Sequence, residues 1–157
     1  MDTASIKELS EELKQRSSKE LIELCLRLSR FKKENKELLT YLLFEAADEA
    51  AFVEGIKKEI ANDFKLINRN SYYYIKKSVR KILRNIKKYI RYSKKKETEV
   101  ELLICFCSEL AKMRPSIKRN TTLQNLFDRQ VLVIRKAIST LHEDLQYDYE
   151  SELKGII

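Results

Sequence analysis

The chain has 157 residues, of which 43% are apolar and 36% charged, with two Gly, one Pro and a formal net charge of +8. Its length fits one domain over 1–157, able to bury roughly two-thirds of the surface that the unfolded chain exposes. So few Gly and Pro leave almost no chemistry for hairpin turns, which excludes β-rich folds, and no apolar run reaches the roughly eighteen residues that would cross a bilayer. The opening Met1 to Leu9 reads as an amphipathic helix rather than a signal peptide, so a cytoplasmic location is expected and a membrane partner is not.

Apolar residues recur at helical spacing throughout, so the expected fold is all-α: seven or eight antiparallel helices in an irregular bundle or a short α-α superhelix. The first helix covers about 5–15, with Ile6, Leu9 and Leu13 on one stripe. Ser17 and Glu20 have the spacing of a capping box, in which a hydroxyl and a carboxylate each satisfy a backbone N–H of the first turn. They open a second helix to about Phe31 that is apolar over much of its circumference. Asn35 is the expected cap of a third helix through Leu38, Leu39, Leu42, Leu43 and Ala46. The Asp48–Glu49 pair marks a bend into a fourth helix carrying Phe52, Val53, Ile56, Ile60 and Phe64. The third and fourth are either two helices or one kinked helix.

Asn70 or Ser71 is placed to cap the fifth helix, expected at about 71–93. Residues 70–96 hold eleven Lys or Arg and no acid, whereas 1–69 hold thirteen bases and fourteen acids, and 97–157 hold eight and ten. The basic excess therefore comes from this one segment. At about 100° per residue, Lys76, Lys77, Arg80, Lys81, Arg84, Lys87, Lys88 and Arg91 share one face. Tyr72, Ile75, Val79, Ile82, Leu83, Ile86, Tyr89 and Ile90 fall on the other. Tyr73 lies near the middle of the cationic face, with Tyr74 and Tyr92 at its edge.

A sixth helix is expected to start near Thr98 and to be central, because Leu102, Leu103, Ile104, Cys105, Phe106, Cys107 and Leu110 leave little circumference for water. Arg114–Pro115 ends it, since Pro drives the preceding residue out of helical geometry. Thr121 or Thr122 is the expected cap of a seventh helix, where Leu123, Leu126, Phe127, Gln130, Ile134, Ala137 and Leu141 approach heptad spacing. Residues 142–157 are acidic and form either a short last helix or a frayed end. Two junctions echo each other at an offset of about sixty residues: Arg30-Phe31-Lys32-Lys33 before Leu42-Leu43, and Arg91-Tyr92 before Leu102-Leu103. Stacked helical repeats have such a pattern, and so do chains rich in Lys, Glu and Leu.

Catalytic chemistry has little to work with. His142 is the sole histidine and sits beside acids, as a surface residue does. Cys105 and Cys107 point about 200° apart on a helix, so they cannot share one metal ion, and Cys25, Cys105 and Cys107 all read as small buried hydrophobes. Glu45 and Glu49 lie one turn apart near Asp48, without the Glu-x-x-His pairs of helical di-metal sites; they read as a solvated acidic face that pairs with Lys57 or Lys58. With no Gly-rich phosphate loop either, the expectation is a protein that is not an enzyme and needs no cofactor or metal.

Two functional classes follow. The leading expectation is a scaffold that holds a protein partner in grooves between stacked helices. The alternative is sequence-nonspecific binding of nucleic acid or another polyanion by the basic face of 71–93, with Tyr73 placed to stack on a base. The sequence leaves the partner undecided, as it does the oligomeric state. Ser-Ser-Lys-Glu-Leu-Ile-Glu-Leu opening one helix and Lys-Glu-Asn-Lys-Glu-Leu-Leu opening the next resemble small uncharacterised bacterial all-helical proteins. The resemblance covers about the first forty residues, implies a bacterial cytosolic origin and transfers no functional residue.

Overall fold

The computed structural model describes residues 1–157 and contains eight α-helices and no strand. They are α1 (Ile6–Lys14), α2 (Ser18–Phe31), α3 (Lys33–Thr40), α4 (Glu49–Lys65), α5 (Tyr72–Ser93), α6 (Lys96–Lys112), α7 (Thr121–Ile138) and α8 (Glu143–Lys154). A π-helical turn at Tyr41–Glu45 and a 3-10 turn at Ile117–Arg119 complete the regular structure. No helix is long and apolar enough to cross a membrane. The chain divides into two compact units, Met1–Phe44 and Glu45–Ile157. No Gly, Pro or charge run marks the boundary, which falls within Leu42-Leu43-Phe44-Glu45.

In the first unit, two capping boxes start the helices. Ser17 and Glu20 form the one legible from spacing, and Ser5 and Glu8 form a second at the head of α1. In each, the Glu carboxylate accepts the cap residue's backbone N–H at 2.8 Å. Hydrogen bonds from the Ser5 hydroxyl and backbone hold the Glu8 carboxyl below its ordinary pKa, and those from the Ser17 backbone and hydroxyl do the same for Glu20.

Asn35 does not cap the third helix. The helix begins two residues earlier, after an extended Lys32, and the Asn35 amide donates to the Leu28 carbonyl at 2.8 Å. It satisfies an acceptor left over at the end of α2. The third and fourth helices are separate. The π turn interrupts the pattern, and Asp48 starts α4 afresh by accepting the Ala51 N–H at 3.0 Å. Neither α1, α2 nor α3 buries a single residue, and Cys25, expected inside, is exposed.

The second unit is built around α6, which packs against α4, α5, α7 and α8. Val100, Leu102, Phe106, Cys107 and Leu110 of α6 are fully enclosed. Around them lie Phe52, Val53, Ile56, Ile60 and Phe64 of α4, and Ile75, Val79, Ile82, Leu83 and Ile86 of α5. α7 contributes Leu123, Phe127, Gln130, Ile134 and Ala137 from the heptad-like set, together with Val131 and Ile138, and leaves Leu126 and Leu141 half-buried. Residues 142–157 are helical, and Leu153 at 0% exposure anchors α8.

One cap of the second unit differs from expectation. Asn120, not Thr121 or Thr122, caps α7 and accepts the Leu123 N–H at 3.2 Å; Asn is the stronger N-cap, and the helix starts at the first residue that can use it. α6 starts near Thr98, as its sequence predicts. That helix begins at Lys96, directly after the left-handed Lys94 (φ 59°) turns the chain at the end of α5. Thr98 itself points inward.

Candidate nucleic-acid interface

The buried row Ile75, Val79, Ile82, Leu83 and Ile86, each at most 8% exposed, fixes how α5 is rotated about its axis. The opposite face is thereby committed to water. Lys77, Arg80, Lys81, Arg84, Lys87 and Arg91 are exposed, and Lys76 and Lys88 at the flanks are half-buried. Tyr89 and Ile90, assigned to the apolar side by spacing, are half-buried as well. From Lys76 to Arg91 the cations span about 23 Å, with at least one on every turn after the first.

Seven of the eight candidate cations, Lys76, Lys77, Arg80, Lys81, Arg84, Lys87 and Arg91, form no ion pair. The eighth, Lys88, lies over the Tyr89 ring at 5.2 Å. Elsewhere in the same unit Lys57, Lys95, Lys96 and Lys112 each meet a carboxylate, while other scattered cations, among them Lys58, Arg129 and Arg135, form no ion pair either; α5 differs in gathering its cations on one face. Glu59 of α4 reaches α5 by accepting the Tyr89 hydroxyl at 3.0 Å. Because 70–96 contains no acid, α5 offers its own cations no carboxylate one turn away.

Tyr73, Lys76, Lys77, Arg80 and Arg84 line one open concavity of about 450 Å³. Tyr73 is 67% exposed, and its ring meets that of Tyr74 edge to face at 5.4 Å, so the tyrosine stands at one end of the cationic groove with its orientation supported. Tyr72 turns the other way and donates its hydroxyl to the Ser116 carbonyl at 3.0 Å. Tyr92 departs from expectation. It is buried, packed edge to face on Tyr89 at 6.2 Å, and does not border the basic face.

The acidic residues singled out by sequence do not form a common face. Glu45 ends the π turn and is exposed, Asp48 caps α4, and Glu49 is drawn into the packed unit. Glu49 accepts hydrogen bonds from the Ser93 and Thr98 hydroxyls and pairs with Lys95 at 3.4 Å rather than with Lys57 or Lys58. Lys57 pairs with Glu54 and, at 2.6 Å, with Glu101. Burial disfavours the Lys57 ammonium, but hydrogen bonds to the two glutamates outweigh it and hold its pKa above the ordinary value. Tyr149 of α8 donates to Glu97 and Glu101 at 3.2 Å each. The ties from Lys57 and Tyr149 to Glu101, and from Thr98 to Glu49, join residues 44 to 49 positions apart, and no local pattern announces them.

His142 caps α8 on the surface, accepting from the Asp144 N–H. Burial pushes the Cys105 thiol up to about 11 and the Cys107 thiol up to about 12, which keeps both protonated and unreactive at neutral pH. No three His, Cys, Asp or Glu side chains come together in a metal-binding arrangement. No protein-family model, curated protein or solved structure matches the chain.

Proposed function

We propose that this chain binds nucleic acid without sequence specificity through the exposed face of α5. The observation that carries the reading is the row of seven cations without acidic partners, opening at its Tyr73 end into a groove shared with Lys76, Lys77, Arg80 and Arg84. Unpaired cations at helical spacing raise a local positive potential, and a phosphate backbone supplies a periodic set of anions to meet it. Guanidinium groups of Arg80, Arg84 and Arg91 take phosphate oxygens in bidentate fashion, and the lysines act as point charges. A helical face with no base-reading motif favours binding to the backbone over binding to base edges. Tyr73 offers a stacking surface to an unpaired base, which favours single strands over duplex.

The test is a fluorescence anisotropy titration with single- and double-stranded DNA and RNA of mixed sequence, repeated over a series of salt concentrations. Binding that weakens log-linearly with salt, about 0.7 to 0.9 in slope for each phosphate neutralised, supports the reading. Absence of binding at low salt overturns it. The alternative of a protein partner between helices draws its support from the first unit, where apolar side chains stand open between α1 and α2 and between α2 and α3.

A further inference from the structure

The first unit specifies helices but encloses almost nothing. α1 and α2 each start with a complete capping box, yet α1, α2 and α3 bury no residue, and Tyr41 of the π turn is the one buried side chain before Glu45. Met1 aside, eleven large apolar side chains of residues 1–44 are exposed, from 41% at Leu26 to 82% at Ile6, against seven in all of residues 45–157. Helices of 8 to 14 residues are marginal in water unless an apolar face is covered. A 44-residue unit lies near the size below which oligomerisation or cross-links supply the missing core. Exposed apolar surface of this density marks an interface.

The charge pattern selects the occupant. Residues 1–24 carry six acids and four bases, and residues 25–44 carry five bases and two acids. The unit is thus acidic in its first half and basic in its second. A partner of one sign matches only one half. A second copy, turned end for end, matches both, because a two-fold interface sets each half against its complement. The midpoint of α2 falls between Leu24 and Cys25. Leu24 borders the groove against α1, and Cys25 and Leu28 border the apolar groove of about 280 Å³ against α3. Both grooves flank that midpoint and are open to receive side chains from a facing α2.

We infer that residues 1–44 are a self-association module, in which two copies of this chain pair antiparallel about a two-fold axis near Leu24 and Cys25 of α2. Such pairing is independent of nucleic-acid binding by α5.

Sedimentation velocity of the full chain over a wide concentration range tests it, with a short bismaleimide cross-linker as a second measurement. The expected result is a species of twice the 18.7 kDa chain mass, covalently trapped through Cys25 and not trapped in Cys25→Ser. Cys105 and Cys107 are half-buried and buried, so the linker reports on Cys25. Leu24→Glu and Leu28→Glu, both at exposed positions, are expected to yield monomers of unchanged helical content by circular dichroism. A chain that stays monomeric at all concentrations overturns the inference, as does a dimer that survives both substitutions or that the linker fails to trap.

Discussion

Thr98 donates its hydroxyl to Glu49 at 2.6 Å, tying the first turn of α6 to the first residue of α4. Thr98 is 2% exposed, and Glu49 also receives Ser93 and Lys95, so a carboxylate set back from solvent is held by three donors from the α5–α6 junction. Thr98→Val keeps the shape and removes one donor. Because the acceptor is charged but keeps other partners, Ser93 and Lys95 among them, a destabilisation of about 1–2 kcal/mol is expected, read as a lower urea midpoint with an unchanged m-value.

Alkaline pH is expected to destabilise the second unit. The Cys107 thiol has its pKa raised by burial to about 12, well above the value near 9 that it takes when unfolded. Burial also raises Cys105, and burial with the nearby Glu101 and Glu97 charges raises Tyr149. In each case the folded chain retains a proton that the unfolded chain gives up. The stabilisation is complete below about pH 9 and is lost as pH rises toward about 12. Urea melts across that window should show falling stability, with a shallower fall in Cys107→Ala. A flat profile would contradict the assignment.

Lys94 occupies the left-handed region at φ 59° while ending α5, with its N–H donating to the Ile90 carbonyl at 2.9 Å. A side chain in that region costs roughly 1–2 kcal/mol, partly offset in any glycine replacement by the greater freedom of the unfolded chain. Lys94→Gly preserves the backbone hydrogen bond. It should raise stability by up to about 1 kcal/mol, seen as a melting temperature higher by about 2–4 °C.

Long-range ties such as Thr98 to Glu49 mark where sequence reading stops. The all-α class, the central α6 and the split face of α5 are legible because each rests on periodicity within one helix, as Ile75, Val79, Ile82 and Ile86 demonstrate. The Ser17–Glu20 box is legible because both partners lie within one turn. Asn35 misleads for the opposite reason: it is a good local cap whose side chain has another partner beyond its own helix, the Leu28 carbonyl. The inward tie of Thr98 to Glu49 leaves no local trace either. Cys25 misleads because an apolar neighbourhood in sequence does not show whether a second layer covers it. On α5, spacing locates the cations, but only the packed unit reveals that seven lack acidic partners and that Tyr73, Lys76, Lys77, Arg80 and Arg84 share one groove.

The two faces of α5 should respond to substitution in opposite ways. Arg80, Arg84, Lys87 and Arg91 are exposed and free of ion pairs, and Gln is a comparable helix former. Changing all four to Gln should leave the circular dichroism spectrum and the melting temperature nearly unchanged. Nucleic-acid affinity should fall, and the log-affinity against log-salt slope should shrink by about 0.9 for each duplex phosphate no longer neutralised, or about 0.7 on a single strand. Ile86 is 1% exposed and Ile82 is 5%, so each change to Ala removes buried methyl groups and opens a cavity, at about 2–5 kcal/mol. Affinity measured on the fraction still folded should then stay close to wild type. Equal weakening of binding by both sets, at matched folded concentration, would place the nucleic acid somewhere other than the cationic face.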